Sequence, residues 1–304
     1  MNPGNIYLGR DAGPPGFERI ASGKVRDIYA AGDEHLLFVT TDRVSAFDVV
    51  MNAGIPHKGA VLTAIAAHWF GATGDIVPNH LVHTDVERIE GLDAEWRDRW
   101  RGRTMLVKRA QPDPVEWVVR GYIAGSGWKE YRESQTICGI PLPSGLQLAD
   151  QLPEPILTPT TKNEHHDRPL TPEEARDMVG EAHYDKAERT ALALFERGSA
   201  TLAKLNLRLA DTKFEFGIRG GELVLIDEAL TPDSSRFWAE EDYRVGISPP
   251  SFDKQILRDH LETLDWNKEA PAPDLDPAIL ARVSERYLEV CERITGTGPL
   301  QVSP

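Results

Sequence analysis

Cysteine is scarce in this chain: Cys138 and Cys291 are the only two among 304 residues. Two thiols so far apart in sequence do not make a disulfide scaffold. No apolar run is long enough to span a membrane. The start, Met1-Asn2-Pro3-Gly4, lacks the charged and apolar regions of a signal peptide, so the cytoplasm is the expected location. Basic charge is in deficit, with a formal net charge of -14 at pH 7. No basic domain is evident, which argues against a nucleic-acid partner. An acidic protein that handles anionic nucleotides must concentrate its Lys and Arg locally. What is present is ordinary globular composition, 40% hydrophobic and 27% charged, with length for two domains or one large folded unit.

The pattern along the chain predicts an α+β protein with mostly antiparallel sheets. Residues 1–16, rich in Gly and Pro, form an irregular arm. An α+β lobe over 17–110 follows, with strands at 24–29, 36–40 and 103–109. Its helix at 60–70 has Val61, Leu62, Ile65 and Trp69 at helical spacing and Gly71 as a stop. A central α+β lobe spans 111–250, with a strand at 115–121 and a long connection over 139–159. Thr171-Pro172-Glu173-Glu174 is a capping box that opens a short helix ending near Gly180. Ala187, Ala191, Leu194, Leu202 and Leu205 mark a long amphipathic helix. Residues 251–304 form a helical segment, with helices at 251–264 and 277–294.

The strand Leu209-Ala210-Asp211-Thr212-Lys213-Phe214-Glu215-Phe216-Gly217 carries a charge at every second position. Strand side chains alternate faces, so Asp211, Lys213 and Glu215 line one side and Thr212, Phe214 and Phe216 the other. Val224-Leu225-Ile226-Asp227-Glu228 and Thr231-Pro232-Asp233-Ser234-Ser235-Arg236 follow. Acids at the end of an apolar run are what a divalent metal clamped on phosphates requires. Arg219-Gly220-Gly221-Glu222 reads as the hairpin turn between the two strands. A two-residue Gly-Gly turn pairs Glu215 with Ile226 and points Asp227 to the other face. An odd-length loop puts Glu215 and Asp227 on one face, so a shared metal demands the odd kind. On spacing alone, an edge hairpin with solvated charges stands equally open.

Other segments are weaker when taken singly. Ser22-Gly23-Lys24-Val25-Arg26-Asp27-Ile28-Tyr29 has a glycine that lets backbone approach phosphate oxygens, with Lys24 and Arg26 on one face. Alone it fits a basic hairpin better. The strand 104–110 running into Gln111-Pro112-Asp113-Pro114 can offer backbone groups to an adenine edge, though the pattern by itself favours an ordinary strand and turn. Glu116 and Arg120 share a strand face, and Gly125-Ser126-Gly127 fits an anion-binding turn. The competing reading is a structural Glu116–Arg120 pair. Polar loops are expected at 40–48, which contains Ser45, at 54–59, which contains Lys58 and opens a helix, and at 158–167. His165 and His166 in the last have no further ligand to complete a zinc set. No Ser/His/Asp or Cys/His arrangement can be argued.

Taken together, these segments closely resemble the SAICAR synthetase family, the phosphoribosylaminoimidazole-succinocarboxamide synthases of purine biosynthesis. The resemblance runs from about Ser22 to Asp259. Its signatures are Pro114-Val115-Glu116 through Arg120 to Gly125-Ser126, and the 209–217 strand. Residues 23–29, Ser251-Phe252-Asp253-Lys254-Gln255 and the 227–236 acids add to it. It implies an ATP-grasp-like two-lobed fold and a reaction in which ATP phosphorylates the carboxylate of an imidazole ribonucleotide. The L-aspartate amine then attacks the acyl phosphate. It further implies that Gly23, Lys24 and Arg26 cradle phosphates, with Ile28 beside the base. Lys108, Arg109 and Ala110 resemble the adenine hinge, and Glu215 and Asp227 the magnesium and ATP positions. Arg120, Ser126, Asp233 and Arg236, with Ser45, Lys58, Glu116 and Lys162, match the substrate side. Lys213 is expected to stabilise acyl-phosphate charge, and Asp211 to orient substrate or accept the amine proton. One loop departs from the family pattern: Lys162-Asn163-Glu164-His165-His166-Asp167 is shortened, which weakens Thr161, Lys162, His166 and Asp167 as substrate contacts. The expected partners are small molecules, with no membrane, in a monomer or small homo-oligomer. The alternatives are another ATP-dependent carboxylate–amine ligase or kinase with the same cleft, or a non-catalytic nucleotide-binding protein.

Overall fold

The computed structural model describes residues 6–47, 49–162, 168–252 and 255–300. Asn163, Glu164, His165, His166, Asp167, Asp253 and Lys254, named in the motifs above, lie outside the described residues. The architecture is mixed α and β with antiparallel sheets, divided into two compact units. The first unit takes Met1–Gly71, His80–Arg109 and Phe252–Pro304; the second takes Ala72–Asn79 and Ala110–Ser251.

In the first unit β1 (Arg19–Ser22), β2 (Arg26–Ala31), β3 (His35–Thr40), β4 (Arg43–Ala46), β5 (Val49–Gly54), β6 (Leu81–His83) and β7 (Thr104–Lys108) alternate with α1 (Lys58–Ala72) and α2 (Ala94–Trp100). Five of the strands form an antiparallel sheet in the order β1-β2-β3-β7-β6. β2 buries every second residue at Asp27 and Tyr29, as period-two alternation requires. Tyr29, Leu37 and Val39 pack with Tyr7, Trp96 and Trp100 into one core cluster. The expected polar loop at 40–48 instead contains β4, which pairs with β5 just beyond it, and Val44, Ala46 and Met51 of the pair are buried. Helix α1 passes through Gly71 and is buried on nearly every side, so it is a core helix rather than an amphipathic one.

The second unit holds β8 (Gln111–Pro112), β9 (Val115–Tyr122), α3 (Gly125–Ser134), β10 (Thr136–Ile137), β11 (Ile140–Pro141), β12 (Gln151–Leu157), β13 (Thr160–Thr161), α4 (Pro172–Val179), α5 (Glu181–Ala203), β14 (Leu207–Arg219), β15 (Glu222–Ile226) and β16 (Ser235–Ala239). The seven-stranded sheet runs β12-β9-β14-β15, with β13 on β9 and both β8 and β16 on β14. The stretch 139–159 is therefore more than a connection: β12 forms an antiparallel ladder with β9 despite its prolines, with an irregular register between Gln151 and Ile156. The capping box forms as the sequence requires, Thr171 Oγ1 accepting from Glu174 N and the Glu174 carboxylate accepting from Thr171 N at 2.8 Å. Helix α5 covers the sheet where Gly121 leaves no side chain; a Cβ there would stand 2.7 Å from Phe195. α6 (Gln255–Glu262) and α7 (Pro277–Thr295) return to the first unit, and Ser284 of α7 donates to the Pro56 carbonyl at 2.7 Å.

Cys138 and Cys291 are buried free thiols, both pushed up to about 11, chiefly by burial. No helix among the described residues is long and apolar enough to cross a membrane.

Gly59, in the first turn of α1, is a sensitive position. A methyl there would collide with the Thr40 carbonyl oxygen and sit 2.6 Å from the Arg103 guanidinium. Gly59→Ala is expected to lower unfolding free energy by about 1–3 kcal/mol, read as a reduced midpoint in urea at unchanged slope.

Candidate active site

The candidate residues divide between the two units, and each group has its own geometry. In the second unit the charged face of β14 is the organising surface. β9 lies antiparallel beside it with Asp211 opposite Arg120 and Lys213 opposite Val118. β16 flanks its first half, with Asp211 opposite Arg236. Period-two alternation then sets Glu116 and Arg120 of β9 on the face that carries Asp211, Lys213 and Glu215. The other face is apolar: Phe214 and Phe216 stack, and Trp117 packs against Phe216 and Tyr184.

Two linked clusters result. In the first, Lys213 Nζ donates to Glu116 Oε1 and to Glu215 Oε1, each at 2.7 Å. Thr160 Oγ1 donates to Glu116 Oε2 at 3.1 Å, and Lys162 pairs with Glu215 Oε2. Burial alone would lower the Lys213 pKa. The carboxylates of Glu215, Glu116 and Asp227 outweigh it, and the pKa stands above the ordinary lysine range. Lys213 is thus a cation at neutral pH. In the second cluster Arg120 Nη1 and Arg236 Nη1 both donate to Asp211 Oδ2, at 3.2 and 2.6 Å. Arg120 also donates to Thr158 Oγ1 at 2.9 Å and to Ser126 Oγ at 3.1 Å. Gly125, at φ +55, allows Arg236 to lie close: a Cβ there would stand 2.8 Å from its guanidinium.

The structure overturns the expected odd-length turn. Arg219 pairs with Glu222 and Glu215 with Ile226, so Gly220-Gly221 is a two-residue turn with both glycines at positive φ. β15 ends at Ile226, and Asp227 adopts a left-handed backbone, φ 63. That residue leaves the strand's alternation, and its carboxylate acts on Lys213 electrostatically despite the even turn. The even register therefore does not by itself fix the face on which the Asp227 carboxylate lies. The Glu116–Arg120 pair is not formed either: Glu116 engages Lys213 and Arg120 engages Asp211.

Asp233 lies half-buried in the turn before β16, its N–H donating to Thr231 Oγ1 at 3.3 Å. Ser234 ties that turn to β14 through its carbonyl, which accepts from Lys213 N at 2.8 Å. Thr161 is in β13, and Lys162 N donates to the Pro114 carbonyl at 3.0 Å. Thr158 and Thr160, which brace Arg120 and Glu116, were not singled out in sequence; the hydroxyl run Thr158-Pro159-Thr160-Thr161 beside two signature strands is the signal that marks them.

In the first unit Gly23 and Lys24 form the exposed loop between β1 and β2. Arg26 starts β2, its guanidinium 5.6 Å from the Phe38 ring, and Ile28 is half-buried opposite Phe38. Lys108 ends β7, exposed, with its N–H on the His80 carbonyl at 2.7 Å. Arg109 donates to the Glu34 carbonyl at 2.8 Å and the Asp33 carbonyl at 3.1 Å. Ala110 begins the second unit's main segment. Ser45 is half-buried in β4. Lys58, the first residue of α1, is fully buried with its amine 5.9 Å from the Tyr287 ring.

Comparison with known proteins bears on the whole chain. A family model described as SAICAR synthetase matches residues 19–273. A phosphoribosylaminoimidazole-succinocarboxamide synthase of Syntrophotalea carbinolica is 55% identical over 287 residues, which is 94% of this chain and 97% of that protein. A solved SAICAR synthase from Saccharomyces cerevisiae, complexed with SAICAR, is 38% identical with a TM-score of 0.85, over 93% of this chain and 96% of that one. A SAICAR synthetase in complex with ADP is 27% identical with a TM-score of 0.67, over 91% and 98% of the two chains. Family match, sequence identity and backbone similarity all extend over most of the chain, which therefore belongs to the SAICAR synthetase family.

Proposed function

We propose that this chain is an ATP-dependent carbon–nitrogen ligase of purine biosynthesis. It joins L-aspartate to 5-amino-1-(5-phosphoribosyl)imidazole-4-carboxylate through an acyl phosphate, giving SAICAR, ADP and phosphate. The observation that carries the reading is the Lys213 cluster in a chain of this family: an ammonium aimed by Glu116 and Glu215. The family's complexes with SAICAR and with ADP supply the substrate classes. Phosphoryl transfer asks little covalent chemistry of a protein and much positioned positive charge. Lys213, kept protonated, suits stabilisation of the charge on the acyl phosphate. The Arg120 and Arg236 guanidiniums, fixed by their shared Asp211 oxygen, suit an anionic group such as the ribonucleotide 5′-phosphate. Ser126, Asp233, Lys162, Ser45 and Lys58 are assigned to the substrate side with them. Of the two roles open to Asp211, its two guanidinium contacts favour orientation over proton abstraction.

Gly23, Lys24 and Arg26 are assigned to the nucleotide phosphates, Ile28 to the base, and 108–110 to the adenine edge. The ATP-grasp-like description of the two units belongs to the same proposal. Glu215 and Asp227 are hard oxygen donors of the kind magnesium accepts beside nucleotide phosphates. Magnesium beside nucleotide phosphates is commonly held by one or two carboxylates together with phosphate oxygens and water. When bound, magnesium would neutralise charge on the transferred phosphoryl group. The non-catalytic alternative is disfavoured by relatives named as synthases over most of the chain and by retention of Glu215, Asp227, Asp233 and Arg236.

Coupled ADP release with ribonucleotide, ATP and magnesium tests the reaction. Release is expected to depend on added aspartate and to match succinocarboxamide formation; aspartate-independent release with no such product would overturn it. Asp211→Asn is expected to raise the ribonucleotide KM by about tenfold while kcat falls less, since the arginines lose their shared anion. A collapse of kcat at unchanged KM would restore the base role. The charge on Lys213 also makes a pH prediction. Its pKa is raised on folding, so its stabilising contribution is complete below the unfolded lysine value of about 10.4 and fades only as pH rises through the folded value. The pH–rate profile is therefore expected to show no basic limb that disappears in Lys213→Arg between about pH 7 and 10.

A further inference from the structure

The loop between β1 and β2 has three successive carbonyls held from one side. Gly23 N–H donates to the Arg26 carbonyl at 2.8 Å and closes it. The next three carbonyls are engaged by the segment that leads from β3 into β4. Arg43 Nη2 donates to Gly23 O at 3.0 Å, and Arg43 Nε to Lys24 O at 3.4 Å. Val25 O accepts from Thr41 N at 2.8 Å and from Thr41 Oγ1 at 2.6 Å. A trans peptide is planar, and its N–H points opposite to its C=O. With carbonyls 23, 24 and 25 drawn toward Arg43 and Thr41, the N–H groups of Lys24, Val25 and Arg26 are directed to the other side. That outer side is where Gly23 and Lys24 are exposed. Successive backbone N–H groups turned one way make an anion-binding concavity.

Arg43 is itself locked. Its Nη1 donates to Leu8 O at 2.8 Å and Asp27 Oδ2 at 3.2 Å, and its Nη2 to Asp27 Oδ1 at 2.8 Å. With Gly23 O and Lys24 O, these oxygens match every N–H of a guanidinium. Asp27 is fully buried, and Ser22 Oγ donates to its Oδ1 at 2.6 Å. A lysine carries one point of charge and cannot reproduce that fork. The guanidinium is consumed within the protein, so it acts on a ligand only through the loop.

We propose that Arg43, seated on Asp27 and aided by Thr41, is a positioning residue that turns the 23–26 peptide groups outward to grip nucleotide phosphates. This rests on the assignment of that loop to the phosphates. The test uses the full chain, with ADP binding by calorimetry and steady-state kinetics on Arg43→Lys and Thr41→Val. Arg43→Lys is expected to raise the ADP dissociation constant and the ATP KM by about tenfold or more, with kcat at saturating ATP and the aspartate KM nearly unchanged. Thr41→Val, which removes one of two bonds to Val25 O and keeps the side-chain shape, is expected to give a smaller shift of the same kind. It decides the matter if Arg43→Lys does not fold. Wild-type protein that fails to bind ADP would overturn the nucleotide assignment itself. Wild-type binding with variants of equal affinity, whether or not thermal stability falls, would overturn the positioning role alone.

Discussion

An ammonium group held between two carboxylates organises the charged face of the second unit. Lys213 sits on a strand whose other face is packed with aromatics, so its backbone has little freedom to move. Glu116 reaches it from the neighbouring strand and Glu215 from two residues along its own. Each of these acids is nearly buried, and neither would be tolerated there without a cation. The arrangement is mutual: the acids keep Lys213 protonated, and Lys213 keeps the acids in place. Phosphoryl transfer and acyl substitution both benefit from charge that needs no reorganisation during reaction, and in the proposed reaction a lysine so braced would supply it.

The same economy recurs around the arginines. Arg120 and Arg236 would repel each other if brought together alone. Asp211 offers both the same oxygen, while hydroxyls from Thr158 and Ser126 take further Arg120 donors. Arg43 repeats the pattern in the first unit with Asp27 as its counter-charge. In an acidic protein with net charge -14, a carboxylate thus fixes the direction of Arg120 and Arg236, the pair proposed to meet an anionic substrate, while Arg43 is spent inside the protein.

Much of this was legible in the amino-acid order. Charges at 211, 213 and 215 between apolar residues announced a strand with one chemical face, and β14 has that form. The capping box at Thr171 was legible because every group it uses lies within one helical turn. The strand at Gln151–Leu157 was hidden by its prolines, since its partner β9 lies some thirty residues back and only the ladder justifies the extended form. Thr158 and Thr160 were hidden for a similar reason: a hydroxyl's partner across a sheet leaves no trace in its own neighbourhood.

The turn at Gly220-Gly221 separates the two kinds of knowledge most clearly. Sequence by itself determined that two acid-bearing strands are joined by a tight glycine turn, and the motifs along the chain determined the family. Both follow from local chemistry: residue alternation, glycine's freedom at positive φ, and residues that serve only one reaction. Whether Asp227 joins Glu215 around Lys213 was decided by tertiary structure. A one-residue change to left-handed backbone redirected its carboxylate against the even register. That conformation is open to aspartate, whose short polar side chain tolerates it better than most. The fold alone brings the Asp227 carboxylate within electrostatic range of the Lys213 ammonium.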